Sequence, residues 1–591
     1  MTPISPDQVI RRPPGDSLDR LPGEIHRVLR RVLVARGVQT PGEIDLALSG
    51  LLPPVGLGGV QHAAARLATA VREGQRVLIV GDFDADGATG TALAVLALRA
   101  MGADSTSFRV PNRFEFGYGL SKPLVDTLAQ DPPDLIITVD SGVCSISGVA
   151  RAAELGSEVI VTDHHLPGEV LPAATAIVNP NLDGDGFPSK SLAGVGVVFY
   201  LLSVVRSELE AEGWFGPRRP APRMSQWLDL VALGTVADLV PLDRNNRILV
   251  QNGIARIRQG LARPGIMALM RVAGRDYRYA SASDLGFAVG PRLNAAGRLE
   301  DMSVGIRCLI TDDPAEAMPL AAELDQLNQQ RRAMQEEMQR QAFQDVNALL
   351  ERIRGAPLPA ALCLHDPGWH QGVVGLVASK VKDAVHRPVV AFAPESEGSD
   401  RLKGSARSIR GLHIRDALAA VDAHHPGLMT AFGGHAMAAG LSLAEAQLDQ
   451  FTGAFQEEVH RLLDGEEPVN EIRTDGELEP ADFGVELALA LEGAGPWGQR
   501  FPEPLFDGQF EILDQRIVGE KHLKMLLRPS GGGDSVDAIA FNHLPEDIER
   551  AADGSGARTV RMLYRLGVNR WQGRESCQLI VEHFVRRAAA R

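Results

Sequence analysis

Short apolar runs separated by helix-like stretches fill residues 59–312. RVLIV (76–80), DLIITV (134–139) and EVIVT (158–162) are short and rich in β-branched residues, which predicts strands. Residues 87–101, and the stretch ending near 155, read as helices. Strands alternating with helices at this spacing predict parallel βαβ units in a doubly wound sheet. Ligands of such sheets gather at the carboxyl ends of the strands. From 306 to 354 there is no glycine, and after Pro319 no proline. Strong helix formers with high polar content predict one long, largely exposed helix there, bridging two domains. A second α/β region follows over 355–464, opening on the strand ALCLHD. Past an acidic linker at 464–471, alternating runs such as RTVRMLYRLGVN and SCQLIVEHF predict a small β-barrel within 465–591. Residues 1–58 are rich in Pro and Gly and poor in strand signals, and predict a helical lead-in. The expected boundaries are thus 1–58, 59–312, 313–354, 355–464 and 465–591.

Composition narrows the class. A chain of 591 residues is too long for one core. Apolar residues at 45% and charged residues at 23% are ordinary for globular proteins. The most apolar run, 91–103, is short and carries Arg99, so no membrane span is expected. The first residues have no apolar core behind their charges, so no secretory signal is expected. Cys144, Cys308, Cys363 and Cys577 are scattered without a CxxC pair, which argues against a disulfide framework or a cysteine zinc site and suits the reducing cytoplasm. The net charge of −15 requires that any nucleic-acid path be a local basic groove on an acidic body.

The candidate chemistry lies where apolar runs end. RVLIV runs into Gly81-Asp82-Phe83-Asp84-Ala85-Asp86-Gly87, DLIITV into Asp140-Ser141-Gly142, and EVIVT into Asp163-His164-His165. A fourth apolar segment, VALGTVAD, ends on Asp238 and is expected to be a further strand of the same sheet. Taken singly, each has a plain alternative. A DxDxDG run is often a calcium loop, although here its twelfth position is Leu93 and not the closing Glu. An aspartate at a strand end is commonly a helix N-cap. Four such ends on one sheet edge change the balance, because so many carboxylates cannot all stay ionised without a cation. Oxygen ligands mixed with imidazole suit manganese, or else magnesium, better than zinc. Two such ions about 3.5–4 Å apart would clamp the attacking and leaving oxygens of a phosphoryl displacement.

GDFDADGATGTAL, TVDSGV, TDHH and GTVADLVPL resemble the successive motifs of the DHH phosphoesterase superfamily. The resemblance implies that Asp84 and Asp86 bind two metals separately, that Asp140 bridges them, and that His164 and Asp238 complete one site. Asp82 would stand near or in the other, and His165 would contact phosphate or act as an acid. The pyrophosphatases of the superfamily have a histidine ahead of the aspartate pair, and this sequence has none there.

Pro291-Arg292-Leu293-Asn294-Ala295-Ala296-Gly297-Arg298-Leu299 is similar to a motif of RecJ nucleases, and Arg292, Asn294 and Arg298 suit phosphate contact. In the second α/β region, GWHQGVVG (368–375), KGSARS (403–408) and GGHAMAAG (433–440) place glycines beside donors. The last resembles the signature of the DHH-associated domain, which implies that Arg407 and His435 touch the phosphate beside the scissile one. Ser405, Ser408, Gly433 and Gly434 join them as candidates, and Trp369 reads as core before it reads as a stacking residue. The C-terminal segments resemble the OB-fold of RecJ proteins, with Lys521, Lys524, Arg528, Arg570, Arg574, Trp497 and Trp571 as candidate strand contacts. RecJ resemblance covers the chain from about residue 60 onward. It implies a 5′→3′ exonuclease for single-stranded DNA that serves repair and recombination, a monomer with a helicase and a single-strand-binding protein as partners. The rival expectations are a phosphodiesterase of short oligonucleotides or cyclic dinucleotides, and an inactive scaffold relative.

Overall fold

The computed structural model describes residues 8–13, 18–112, 115–353, 358–396, 398–466, 468–519, 521–551 and 559–585. Its first sheet is parallel throughout. It comprises β1 (Val77–Gly81), β2 (Thr106–Arg109), β3 (Leu135–Val139), β4 (Glu158–Thr162) and β5 (Ala176–Val178), in the order β2-β1-β3-β4-β5. Every residue of β1 and β3 is buried, as expected for strands covered on both faces. The three strands expected from the sequence appear within a residue of their predicted bounds.

The fourth apolar segment is a correction. It forms a helix, α3 (Leu228–Ala237), which packs against α1 (Ala85–Met101) and α2 (Gly194–Ala211). Residues 228–235 are all buried, so the helix is apolar on every side and shows no helical period in sequence. Such a run cannot be told from a buried strand by pattern. Asp238 therefore reaches the sheet edge from a helix C-terminus.

Further along, the RLNAAGR segment lies on α4 (Gly290–Leu299), and α5 (Pro314–Ile353) is the long helix. The expected domain boundary at 354/355 lies outside the described residues. The second sheet holds β6 (Leu362–His365), β7 (Val389–Pro394), β8 (Arg401–Arg407), β9 (Ala431–Gly434) and β10 (Ala438–Ala444) in the order β9-β10-β8-β7-β6. Only β6 and β7 run parallel in it. The C-terminal strands β11 (Phe506–Val518), β12 (His522–Pro529), β13 (Val536–Phe541), β14 (Thr559–Trp571) and β15 (Arg574–Val585) close into a barrel in the order β11-β12-β13-β15-β14.

The lead-in is not purely helical. Gln8–Arg11 forms a strand that pairs in parallel with Glu471–Thr474, just ahead of the barrel. Arg36 bonds both carboxylate oxygens of Asp475, and both side chains are buried. Arg27 holds Asp482, and Arg11 holds Asp507 of β11. One hydrophobic core runs from the lead-in through the first α/β unit into the barrel. The second α/β unit has separate cores, one of which takes in Met338, Ala342 and Val346 of α5. The molecule thus has two packed bodies, joined along α5.

Candidate active site

The carboxyl edge of the first sheet gathers the acidic groups. After β1 the chain turns at Asp84, whose Oδ1 accepts from the backbone N–H of Asp86 (2.9 Å) and Gly87 (3.0 Å) and caps α1. Gly87 is required here, since a Cβ would lie 2.5 Å from the Asp82 carbonyl oxygen. Asp86 is buried, and its two oxygens accept from the N–H groups of Gly194 (2.6 Å) and Val195 (2.9 Å) in the first turn of α2. A helix N-terminus favours such a carboxylate. Asp140, beyond β3, adopts a left-handed backbone with φ 59°, uncommon for a residue with a side chain. Beyond β4, Asp163 Oδ2 accepts from Val143 N, and its Oδ1 accepts from the backbone N–H of His164 and His165 and pairs with His165 Nδ1 at 2.8 Å. Asn181 and Asn179 donate to the carbonyls of His164 and His165, fixing the loop.

The result is a cluster of overlapping donor sets. Asp82, Asp84 and Asp140 offer atoms within 4.8 Å of one another, as do Asp86, His164 and Asp238. His164 Nε2 lies 3.0 Å from Asp140 Oδ1 and 3.5 Å from Asp238 Oδ2. Burial, then the surrounding carboxylates, push Asp140 and Asp238 well above the usual carboxylate range, and burial and Asp84 push Asp86 up to about 7. Burial takes His164 down to about 4, leaving a neutral imidazole with a lone pair. Asp140 Oδ1 and His164 Nε2 are buried and make no hydrogen bond, although they face one another. Buried polar atoms left in that state call for a partner. Crowded carboxylates plus a neutral imidazole fit hard divalent cations, so the residues present suit a pair of manganese or magnesium ions.

His165 stands beside this cluster. Burial opposes its charge, but the bond to Asp163 and the nearby carboxylates outweigh that and raise its pKa. Tyr118, unnoticed in the sequence, donates its hydroxyl to Asp140 O (3.0 Å) and lies 3.3 Å from His165 Nδ1. The Gly194–Val195 clamp was also missed. Its only sequence signal is the small-residue run AGVG opening an apolar helix, because the donors are backbone groups.

The RLNAAGR helix divides in role. Asn294 Oδ1 accepts from Ala85 N (2.8 Å) and so braces the aspartate loop. A Cβ on Gly297 would lie 1.7 Å from Phe83 O, which shows how closely α4 sits on that loop. Arg298 donates to Gly372 O (3.1 Å) in the second body. Arg292 is buried and bonded to Asp325 of α5 (2.8 Å) and to Ala288 O (2.6 Å), and so anchors the long helix.

From the second body, the turn after β9 brings His435 against His165, with ring centroids 6.3 Å apart and 24° between planes. Arg407, at the end of β8, bonds Ser405 Oγ (3.1 Å) and Ala406 O (2.8 Å). Ser408 is buried and donates to Leu412 O. Gly434 has φ 144°, and a Cβ there would lie 2.4 Å from Ala439 Cα, so its first duty is the turn that presents His435. Gly433 is exposed with open space beside it. Trp369 is core, bonded to Gln341 of α5.

On the barrel, Lys521 and Trp571 are exposed and Lys524 is half-buried. Arg574 is exposed, while Arg528 pairs with Glu511. Arg570 is committed to Glu492 and Glu575 and lies over the Tyr279 ring at 4.3 Å. Trp497 stacks on Phe501 and donates to Leu491 O, which makes it structural.

A parallel sheet with these groups at its strand ends, closed over by a second α/β body, defines a metal-dependent phosphoesterase of the DHH type. The chain matches the family model for the DHH family, N-terminal domain, over residues 76–235, the DHHA1 domain over 355–461 and the RecJ OB domain over 474–583. It is 52% identical over 576 residues to the single-stranded-DNA-specific exonuclease RecJ of Escherichia coli (strain K12), spanning 97% of this chain and 98% of that protein. Identity to the Haemophilus influenzae exonuclease RecJ is 49% over 566 residues, or 94% and 96% of the two chains. The crystal structure of RecJ in complex with Mn2+ from Thermus thermophilus shares the fold with a TM-score of 0.78 at 31% identity, over 98% of this chain and 80% of that one. Its Mg2+ complex gives 0.73. This chain belongs to the RecJ family of exonucleases.

Proposed function

We propose that this chain hydrolyses single-stranded DNA from its 5′ end, one phosphodiester at a time, at the joint between its two bodies. The observation that carries this reading is the convergence of six metal-type donors on one sheet edge, with His435 of the second body against His165 beside them. Asp82, Asp84 and Asp140 would hold one divalent ion, and Asp86, His164 and Asp238, with Asp140 shared, the other. Manganese or magnesium bound there supplies positive charge to the phosphoryl oxygens and lowers the pKa of water.

The chain's own groups do the rest. Asp163 fixes His165 and raises its pKa, and His165 would donate to a non-bridging phosphate oxygen. Arg407, Ser405 and His435 offer donors to the neighbouring phosphate at the 5′ side. Asn294 and the Gly194–Val195 N–H groups keep Asp84 and Asp86 in register. Arg298 donates to Gly372 O where the two bodies touch, and a passage bounded there would admit one strand and not two. Lys521, Lys524 and Trp571 would contact the strand on the barrel. A single-strand substrate calls for a helicase to supply it and a strand-binding protein to keep it open, in the repair and recombination reactions of the cytoplasm. Four free cysteines suit that compartment, and among the described residues no helix is long and apolar enough to cross a membrane.

The test is a time course with manganese on matched single-stranded and blunt duplex DNA, each labelled at the 3′ end. Shortening of the single strand alone, from the 5′ end, is the expected outcome, and Asp84→Ala abolishes it. Hydrolysis of dinucleotides without shortening of long DNA would replace this reading with a small-substrate phosphodiesterase. Inertness toward both would leave a scaffold.

A further inference from the structure

In the second body, the residues that follow Arg407 divide between core and solvent. Ile409, Leu412 and Ile414 are buried, while Arg410, His413 and Arg415 are exposed. Ser408 Oγ donates to Leu412 O, Leu412 N donates to Ile409 O, and Gly411 takes φ 92°. The chain is thereby folded into a tight loop with Arg410 midway round it. The loop leads straight into the helix Ile414–His424, whose first turn carries Arg415.

Two backbone bonds tie this loop to the turn that presents His435. Ser408 N donates to Met437 O (3.0 Å), and Ile414 N donates to Ala436 O (2.9 Å). Burial, then the charges of His165, Arg415 and His413, lower the pKa of His435, which sets Arg415 and His413 close beside it. Among the described residues, neither Arg410 nor Arg415 has an ion pair or a hydrogen bond, whereas Arg401 and Arg461 of the same body are paired with Glu395 and Glu458. Asp416, the acidic group in the same helical turn, pairs with His413 at 3.1 Å. A chain of net charge −15 thus keeps two uncommitted arginines beside His435, and the helix N-terminus between them also favours anions.

We propose, on the strand reading above, that Arg410 and Arg415 form a polyphosphate subsite outside His435, through which the protein accepts strands whose 5′ end carries a triphosphate. In that reading Arg407 and His435 hold the phosphate of the 5′-terminal nucleotide. No nucleotide lies beyond that phosphate, so an anion reaching outward from it to the two arginines is a further phosphoryl group on the same end. Guanidinium groups match the oxygens of such a group with paired donors. The hydrolytic step itself is unaltered. The hydroxyl of water bonds to the phosphorus between the first two nucleotides, the bond from that phosphorus to the 3′ oxygen breaks, and the 3′ oxygen takes the proton. The first product is then a nucleoside triphosphate. The shortened strand keeps a 5′ monophosphate, so the subsite acts in the first cleavage alone.

The experiment uses two DNA strands of one sequence, labelled at the 3′ end, that differ only in a 5′ monophosphate or a 5′ triphosphate. The first cleavage is timed with the full chain in excess over the strand, across a range of protein concentrations, with manganese in excess over both. The triphosphate strand is expected to reach its half-maximal rate at about tenfold lower protein concentration. Chromatography is expected to show a nucleoside triphosphate released first. Arg410→Ala combined with Arg415→Ala is expected to remove the difference while leaving the monophosphate strand as before. Equal half-saturation for the two strands, or refusal of the triphosphate, would overturn the subsite and leave the nuclease reading intact. So would a double variant that keeps the preference or weakens both strands alike, either of which would leave the arginines to an acidic protein or to the loop's own structure. Cleavage of neither strand by the unaltered protein would overturn both readings.

Discussion

His165 and His435 face one another across the joint between the two bodies, their rings 6.3 Å apart at centroid and nearly parallel. Burial and the neighbouring His165 lower the pKa of His435, while the bond to Asp163 raises that of His165, so of the two His165 keeps its proton to higher pH. Each imidazole comes from a loop fixed by other residues, Asp163 on one side and the Gly434 turn on the other. An anionic phosphate between them would meet donors from both bodies. His435→Ala is expected to lower kcat/KM on single-stranded DNA about tenfold to a hundredfold, the usual worth of a hydrogen bond to a charged group. Calorimetric titration is expected to show manganese affinity unchanged.

Gly375 tests the placement of Arg407. A Cβ there would lie 2.6 Å from Arg407 Nη2 and 2.8 Å from Ser405 Oγ. Gly375 belongs to the helix Val374–Val385, where alanine is favoured over glycine by about 1 kcal/mol. Gly375→Ala is therefore expected to displace the guanidinium and cost about tenfold or more in kcat/KM, without lowering the melting temperature. A fall in both would mean that the site is packing alone.

Arg292→Ala is expected to behave as a stability mutant. It would leave Asp325 without its buried partner, a change that typically costs about 3–5 kcal/mol. Thermal melting should show the loss. Arg292→Met combined with Asp325→Leu should recover most of it, since an apolar pair of similar volume often replaces a buried ion pair. Strand affinity of the folded double variant should match that of the parent.

Acid should loosen the lead-in. Burial opposes ionisation of Asp507, but hydrogen bonds from Arg11, Thr474 and Arg561 outweigh it and hold its pKa below the usual value. A carboxylate depressed in the folded state stabilises it fully above the unfolded pKa, about 3.9, and loses that stabilisation as pH falls through the folded value. Asp507→Asn is expected to lose about 1–3 kcal/mol at pH 7 and to flatten the stability curve below pH 4. Denaturant melts across pH 3–7 would show either.

Much of this was legible in the residues because its signals are local. Three β-branched runs ending on aspartate predicted both the strands and the cluster at their ends, and the glycine-free stretch predicted the long helix. Asp238 was legible as a donor but not in its setting, because an all-buried helix hides its period. The ion pair of Arg292 was not legible because its partner, Asp325, lies on another helix 33 residues away. Tyr118 and the N–H groups of Gly194 and Val195 carry no pattern of their own, and only folding brings them to the aspartates. The strand Gln8–Arg11 is four residues long, and its partner could not be guessed from so short a piece.

That strand also sets a schedule. Arg11 and Asp507 are 496 residues apart in the chain, yet they share one ion pair. At roughly 5–20 residues per second on the ribosome, the nascent lead-in waits on the order of half a minute or more for its partner to emerge. The parallel sheet and its aspartate loops are synthesised well before then. The barrel and the lead-in can lock together only after the barrel's first strand has been made, so a product stalled before it would carry the aspartate loops without the finished barrel.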